Sequence, residues 1–195
     1  YGTIFAATES ALETGLIYTG SDDGLVHVSK NNGEKWENIT PKKMPEWMMI
    51  NCIEVSPFDK GSAYIVGTKY KSGDYRPYIY KTENYGKSWD LIVDGIEEES
   101  FTRALRADPQ HKGLLYAGTE KGMYVSFDDG KNWESFQQNL PIVPITDLAI
   151  KEDNLIVATQ GRSLWIIDDL TPLHQLNSST LKKEVVLYKP KDAYN

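Results

Sequence analysis

Three segments of the sequence share one pattern, Ser/Thr-x-Asn/Asp-x-Gly-x-x-Trp: SKNNGEKW from Ser29 to Trp36, TENYGKSW from Thr82 to Trp89, and SFDDGKNW from Ser126 to Trp133. A pattern returning every roughly 45 to 55 residues means a chain made of repeats, each a supersecondary unit that buries its apolar faces against its neighbours. The residues themselves describe a turn. The hydroxyls of Ser29, Thr82 and Ser126 and the side chains of Asn31, Asn84 and Asp128 are suited to bond backbone N–H groups, and Gly33, Gly86 and Gly130 supply a left-handed position. Trp36, Trp89 and Trp133 then begin the next strand and are expected to pack against the blade, covering the turn from beneath.

Around each turn lie short runs that alternate polar and apolar residues and are rich in Val, Ile, Tyr and Trp, the period-2 mark of strands. Two strands precede each turn, in GLIYTGSDDGLVHVS, GSAYIVGTKY with PYIYKT, and GLLYAGTEKGMYVSF; a weaker fourth copy, NLIVATQGRSLWIID, has no turn after it. An earlier strand precedes each pair (GTIFAATES, NCIEVSPFD, TRALRADPQ, ITDLAIKED), and a last one follows three of them (KWENIT, SWDLIV, NWESFQ). No segment sustains a helical period. The fold expected is all-β: a β-propeller of about four blades, each of four antiparallel strands, over residues 1–170, with innermost strands starting near 2, 50, 101 and 144. Because the fourth blade lacks its last strand, the expectation is the C-terminal part of a larger ring, of 6 to 8 or more blades, closed by an N-terminal strand. A four-bladed ring closed by Val185 to Tyr188 is the alternative, and residues 171–195 read as an exit linker or that closing strand. The start at Tyr1, with neither Met nor a signal-peptide pattern, suggests an N-terminus that lies elsewhere.

Composition removes several function classes. Asp and Glu number 28 against 21 Lys and Arg, a net charge of −7, whereas nucleic-acid binding rests on a basic excess that neutralises phosphates. The single cysteine, Cys52, cannot form an intrachain disulfide and reads as a small buried hydrophobe. No run of 18 apolar residues is present, so no membrane span is expected. His27, His111 and His174 lack metal-site spacing, and neither a phosphate-binding loop, a dinucleotide fingerprint nor a serine nucleophile elbow occurs. No cofactor or metal is expected.

The three turns resemble the Asp-box, or BNR repeat, of sialidases, xyloglucanase-type glycoside hydrolases and sortilin/Vps10-like receptors. The run GRSLWIIDDLTPL, from Gly161 to Leu173, is similar to the end of the propeller in bacterial BNR-repeat, sortilin-like "glycosyl hydrolase" proteins, where a further domain follows. The resemblance implies a propeller whose boxes lie away from any active site, and a secreted, periplasmic or cell-surface location. Only the third box has the acid, Asp128; Asn31 and Asn84 keep an acceptor oxygen but offer no carboxylate.

Antiparallel blades put the Gly/Trp turns on one face and leave the other for function. The loops of that face carry the binding candidates Trp47, Tyr70, Tyr75, Arg76 and Arg162, joined by Arg103 on an innermost strand, since exposed aromatics and arginines make sugar platforms and peptide hot spots. A glycosidase needs two carboxylates across a channel, for which the candidates are Asp22, Asp23, Asp74 and Glu120, while Glu97, Glu98 and Glu99 read as a charged loop. No pair stands out. A sialidase needs three arginines on the substrate carboxylate, and the four here (Arg76, Arg103, Arg106, Arg162) do not form its pattern. Arg103 and Arg106 lie three apart on an innermost strand, so alternation sends at most one into the channel; Arg106 is expected to pair with Asp108 or a neighbour. The leading expectation is therefore an interaction module for a peptide, protein or glycan. A xyloglucanase-like hydrolase is the alternative, and the remaining blades or a downstream domain are the other expected partners.

Overall fold

The structure is a computed structural model that describes residues 2–176 and 183–190. The alternating runs form four separate antiparallel sheets, each ordered as in the sequence. The first holds β1 (Ile4–Glu9), β2 (Ile17–Ser21), β3 (Val26–Ser29) and β4 (Glu37–Asn38); the second β5 (Met49–Val55), β6 (Ala63–Lys69), β7 (Asp74–Thr82) and β8 (Asp90–Leu91). The third holds β9 (Thr102–Ala107), β10 (Leu115–Thr119), β11 (Met123–Ser126) and β12 (Glu134–Ser135), and the fourth only β13 (Ile145–Lys151), β14 (Asn154–Thr159) and β15 (Leu164–Ile167). Strand β1 lies beside β5, β5 beside β9 and β9 beside β13. The chain is thus a partial propeller, with the core divided into apolar layers between blades one and two, two and three, and three and four.

Each innermost strand carries a β-bulge at the same place. The register slips between Ile4 and Ala6, Ile50 and Cys52, Thr102 and Ala104, and Ile145 and Asp147. One residue per blade is thereby left out of the ladder: Phe5, Asn51, Arg103 and Thr146. A bulge re-aims a side chain and breaks the period of two.

The Gly/Trp turns are built from side-chain bonds. The hydroxyl oxygens of Ser29, Thr82 and Ser126 accept from the N–H of Gly33, Gly86 and Gly130 at 2.8, 2.9 and 2.9 Å. Asn31, Asn84 and Asp128 each accept from the N–H four residues on at 2.9 Å, so amide and carboxylate close the turn alike. Two of the tryptophans do more than the sequence expectation asked. While packed in layers that include residues of their own blade, they also reach across to the preceding one: Trp89 Nε1 donates to the Ile39 carbonyl at 2.7 Å, and Trp133 Nε1 to that of Ile92 at 2.9 Å. The turn glycines lie on the same seam. At Gly130, where φ is +85°, a Cβ would stand 2.4 Å from Ile92 Cδ1, so glycine serves both the backbone and the close approach of two blades.

After β15 the chain makes no such turn. Leu170 is fully buried and α1 (Thr171–His174), with proline in its first turn, brings Leu173 into the layer between blades three and four. His174 Nε2 sits 2.8 Å from Oδ2 of the buried Asp108. Residues 183–190 contain no strand, Val185 and Leu187 are exposed, and Lys189 N–H donates to Gln175 Oε1. The rest of the 171–195 segment, 177–182 and 191–195, lies outside the described residues.

Candidate functional site

The bulges gather the four innermost strands around one cavity. Phe5, Asn51, Arg103 and Thr146 all line it, together with Glu54, Arg106 and Asp147. Both arginines therefore reach the channel, where alternation allowed one: the extra residue at Arg103 cancels the change of face between positions three apart. Arg106 does not pair with Asp108. Its guanidinium bonds Asp147 Oδ1 at 2.9 Å and lies 3.6 Å from Glu54 Oε2, while Asp108 accepts from the N–H groups of Gln110 and His111.

Glu54 is the perturbed group. Burial pushes its carboxyl up to about 7, against the opposing pull of Arg106 and of the Ala107 N–H that donates to it at 3.0 Å. A carboxyl raised in the folded state binds its proton more tightly there than in the unfolded chain. Its contribution to stability is thus full below about pH 4.5 and is lost as pH rises towards 7. Glu54→Gln is expected to remove that loss, so that the gap in denaturation midpoint between pH 5 and pH 8 narrows relative to the parent protein. Cys52, between the two blades, lies 3.2 Å from Arg106 Nη1, and burial pushes its thiol up.

Above Arg103 the loops form an aromatic shelf. Tyr70, in the 3₁₀ turn Tyr70–Ser72, stacks on Phe101 with centroids 5.0 Å apart, and Tyr75 lies tilted at 6.2 Å. The Arg103 guanidinium rests 5.0 Å from the Phe101 ring and is bonded to Glu120 at 2.6 Å. Phe101 is absent from the sequence candidates because it stands directly before a strand and reads as core; it is 3% exposed yet holds the shelf together.

The other sequence candidates are mostly engaged in local bonds. Asp74 takes a two-pronged bond from Arg76 and another from the Tyr78 hydroxyl, and the Arg76 bonds hold its carboxyl well below the usual range. Asp22 accepts from Thr3 N–H at 2.7 Å, Asp23 from the Ser21 hydroxyl, and Glu120 from Arg103. Glu98 and Glu99 line a separate open depression with Asp74, Tyr75 and Arg76, and Glu97 lies 3.9 Å from Lys121. Trp47 is 71% exposed in a left-handed conformation, whereas Met48 beside it is fully buried. Arg162 is exposed in the β14–β15 turn, its carbonyl accepting from Trp165 Nε1.

Residues 24–162 match the profile described as "Sortilin, neurotensin receptor 3", well over half of the chain. The chain belongs to the Sortilin-Vps10 family. None of the curated proteins matches it. Among solved structures, this Sortilin-Vps10 chain is similar to YCF48 from Cyanidioschyzon merolae, at 15% identity and TM-score 0.61, over 85% of this chain and 53% of that one. YCF48 bound to D1 peptide matches at 19% and 0.63, over 86% and 52%. The GH74 xyloglucanase from Xanthomonas campestris matches at 18% and 0.67 over 86% and 29%, and the extracellular domain of a one-component system from B. thetaiotaomicron at 16% and 0.61 over 84% and 21%. At these identities the likeness is one of fold. The Sortilin-Vps10 chain spans about half the length of the YCF48 chains and less than a third of the other two. Among its described residues no helix is long and apolar enough to cross a membrane, and no cluster of three His, Cys, Asp or Glu could hold a metal ion.

Proposed function

We propose that the chain is the ligand-binding part of a propeller that engages a peptide, protein or glycan at its channel mouth, on the face opposite the Gly/Trp turns. One observation carries this reading: four inner bulges set Phe5, Asn51, Arg103 and Thr146 on one cavity, beneath a shelf of Tyr70, Tyr75 and Phe101. Every charge at the mouth is balanced by a neighbour, Arg103 by Glu120 and Arg106 by Glu54 and Asp147. The site therefore favours aromatic and hydrogen-bonding contacts over net attraction. The peptide-bound YCF48 structure and the GH74 xyloglucanase supply the two ligand classes to try first. We also propose that the protein is exported, supported by the extracellular domain among the similar folds.

The test is binding of a displayed random peptide library and of xyloglucan oligosaccharides to the protein and to its Asn51→Ala and Tyr75→Ala variants. Loss of a central contact is worth about 1–2 kcal/mol, so about tenfold weaker binding is expected for each. Unchanged binding in both variants refutes the site.

A second reading has its own support. Glu54, pushed up to about 7 by burial, lines the same cavity as Asp147, both in contact with Arg106, and two carboxyl groups of unlike environment on one cavity are what a glycosidase requires. Xyloglucan cleavage that survives Glu54→Gln unchanged ends this reading.

A further inference from the structure

Blades one to three are fastened to each other at their outer edges by tryptophan. Trp89 and Trp133 each donate an indole N–H to the carbonyl of an isoleucine that follows the preceding blade's last strand, while Trp36, in the first blade, is 41% exposed against 3% for Trp133. Among the described residues, the junction of blades three and four has no such clamp. Blade four has neither a Gly/Trp turn nor an outer strand, and the indole of Trp165 bonds the Arg162 carbonyl in its own turn. What crosses this junction is the segment after β15. Leu170 N–H donates to the Asp153 carbonyl of blade four at 2.6 Å, Leu170 and Leu173 fill the layer between the blades, and His174 reaches Asp108 of blade three.

Asp108 directly follows β9, at the place where Ser10 follows β1 and Ser56 follows β5. The turn that begins there needs one acceptor oxygen. Ser10 Oγ accepts from the Leu12 N–H at 3.2 Å, Ser56 Oγ from those of Phe58 and Asp59 at 3.2 and 3.1 Å, and Asp108 Oδ1 from those of Gln110 and His111 at 2.9 Å. A serine therefore suffices for the turn, and the second oxygen of Asp108 is surplus to it. That oxygen accepts from the Tyr116 hydroxyl at 3.3 Å and meets His174 Nε2 at 2.8 Å. The Asp108 side chain is 1% exposed, and a carboxylate so buried is costly without a counter-charge. Among the described groups that bond it, only the His174 ring can supply one.

We propose that His174 and Asp108 form a protonation-dependent clasp, which takes the place of the tryptophan clamp at this junction. Histidine ordinarily changes charge between about pH 5 and 8. As a cation, His174 gives the carboxylate both an ion pair and a hydrogen bond; as a neutral ring it gives the hydrogen bond alone and leaves the buried charge uncompensated. The clasp is thus full at the acid end of that range and loosens as pH rises through it. The other titratable groups around it are His111, whose ring stacks on His174 with centroids 6.1 Å apart, Tyr116, Asp153 and Asp169. Burial, with the Asp108 charge beside it, pushes the Tyr116 hydroxyl up, so it stays a neutral donor. Asp153 is bonded by the Gln110 amide, and Asp169 by the Thr171 hydroxyl and N–H.

The test is amide hydrogen exchange, read by mass spectrometry as protection over the intrinsic rate, for the peptide Leu170–Leu176 at about pH 5.5 and about pH 8.5. The protein is compared with its His174→Gln and Asp108→Ser variants, all carrying Glu54→Gln so that the raised carboxyl in the channel does not contribute. With His174 and Asp108 in place, this peptide is expected to be about five- to tenfold more protected at the lower pH. His174→Gln, which keeps a donor without a charge, should be equally protected at both. Asp108→Ser should lose the protection at both, while residues 108–114 stay as protected as before, since serine caps the same turn in blades one and two. Equal protection at the two pH values with both residues in place overturns the proposal. So does a difference that survives His174→Gln, which would assign it to another group, or an Asp108→Ser variant whose 108–114 turn opens as far as the exit segment.

Discussion

Replacing Trp133 by alanine is expected to destabilise the protein by about 3–5 kcal/mol, the range for removing a buried aromatic side chain. The ring is 3% exposed and packs in the layer between blades two and three with Ile92 and Val93. Its loss opens a cavity in that layer and strips the Ile92 carbonyl of the indole donor at 2.9 Å. Because the contact joins two blades, the damage falls on their docking as well as on one turn. A denaturant midpoint measured beside that of Trp36→Ala in the same chain checks this. The first variant should unfold far earlier and the second close to the parent, although both delete the same residue type from the same motif. Equal midpoints would mean that the tryptophan serves its own turn.

Arg106→Met is expected to be the other sizeable loss, about 1–2 kcal/mol, below the range for breaking a fully buried ion pair because Asp147 is largely exposed and Glu54 can take up a proton. Its guanidinium is 26% exposed and Glu54 is 21% exposed. The cost comes from what remains: Glu54, already pushed up by burial, loses the cation that opposes that push, and Asp147 loses its partner. Adding Glu54→Gln to Arg106→Met should therefore recover much of the stability, since a neutral amide needs no counter-charge. An unchanged midpoint on adding Glu54→Gln would rule out the uncompensated Glu54 carboxylate as the source of the loss.

The strands and turns were legible because they depend on local chemistry. Short apolar runs of Leu, Tyr and Val in GLLYAGT and MYVS, and a glycine at φ +85° three residues before a tryptophan, are visible one segment at a time. What the sequence concealed lies between segments. Phe5, Asn51, Arg103 and Thr146 share no residue type, since a bulge asks only for an extra residue, so nothing in their identity announces it. Glu54 and Asp147 look like ordinary polar positions of half-exposed strands, and only the approach of three blades around Arg106 joins them. Trp89 and Trp133 stand directly before the strands they were expected to begin, and their bonds to the preceding blade were not readable, because a one-dimensional pattern does not say which neighbours a side chain faces.

The bulge residues also hold an unusual position with respect to sequence change. They are the ones the ladder leaves unpaired, and they bear on one cavity; only the Thr68–Asn51 and Thr146–Ala158 bonds and the Arg103–Glu120 pair tie their side chains to the blades. Phenylalanine, asparagine, arginine and threonine already occupy equivalent places in four copies of one scaffold. Selection on the contents of the channel can thus proceed blade by blade with little penalty to foldability, and a saturation library confined to these four codons would sample new recognition chemistry while leaving most of its members folded.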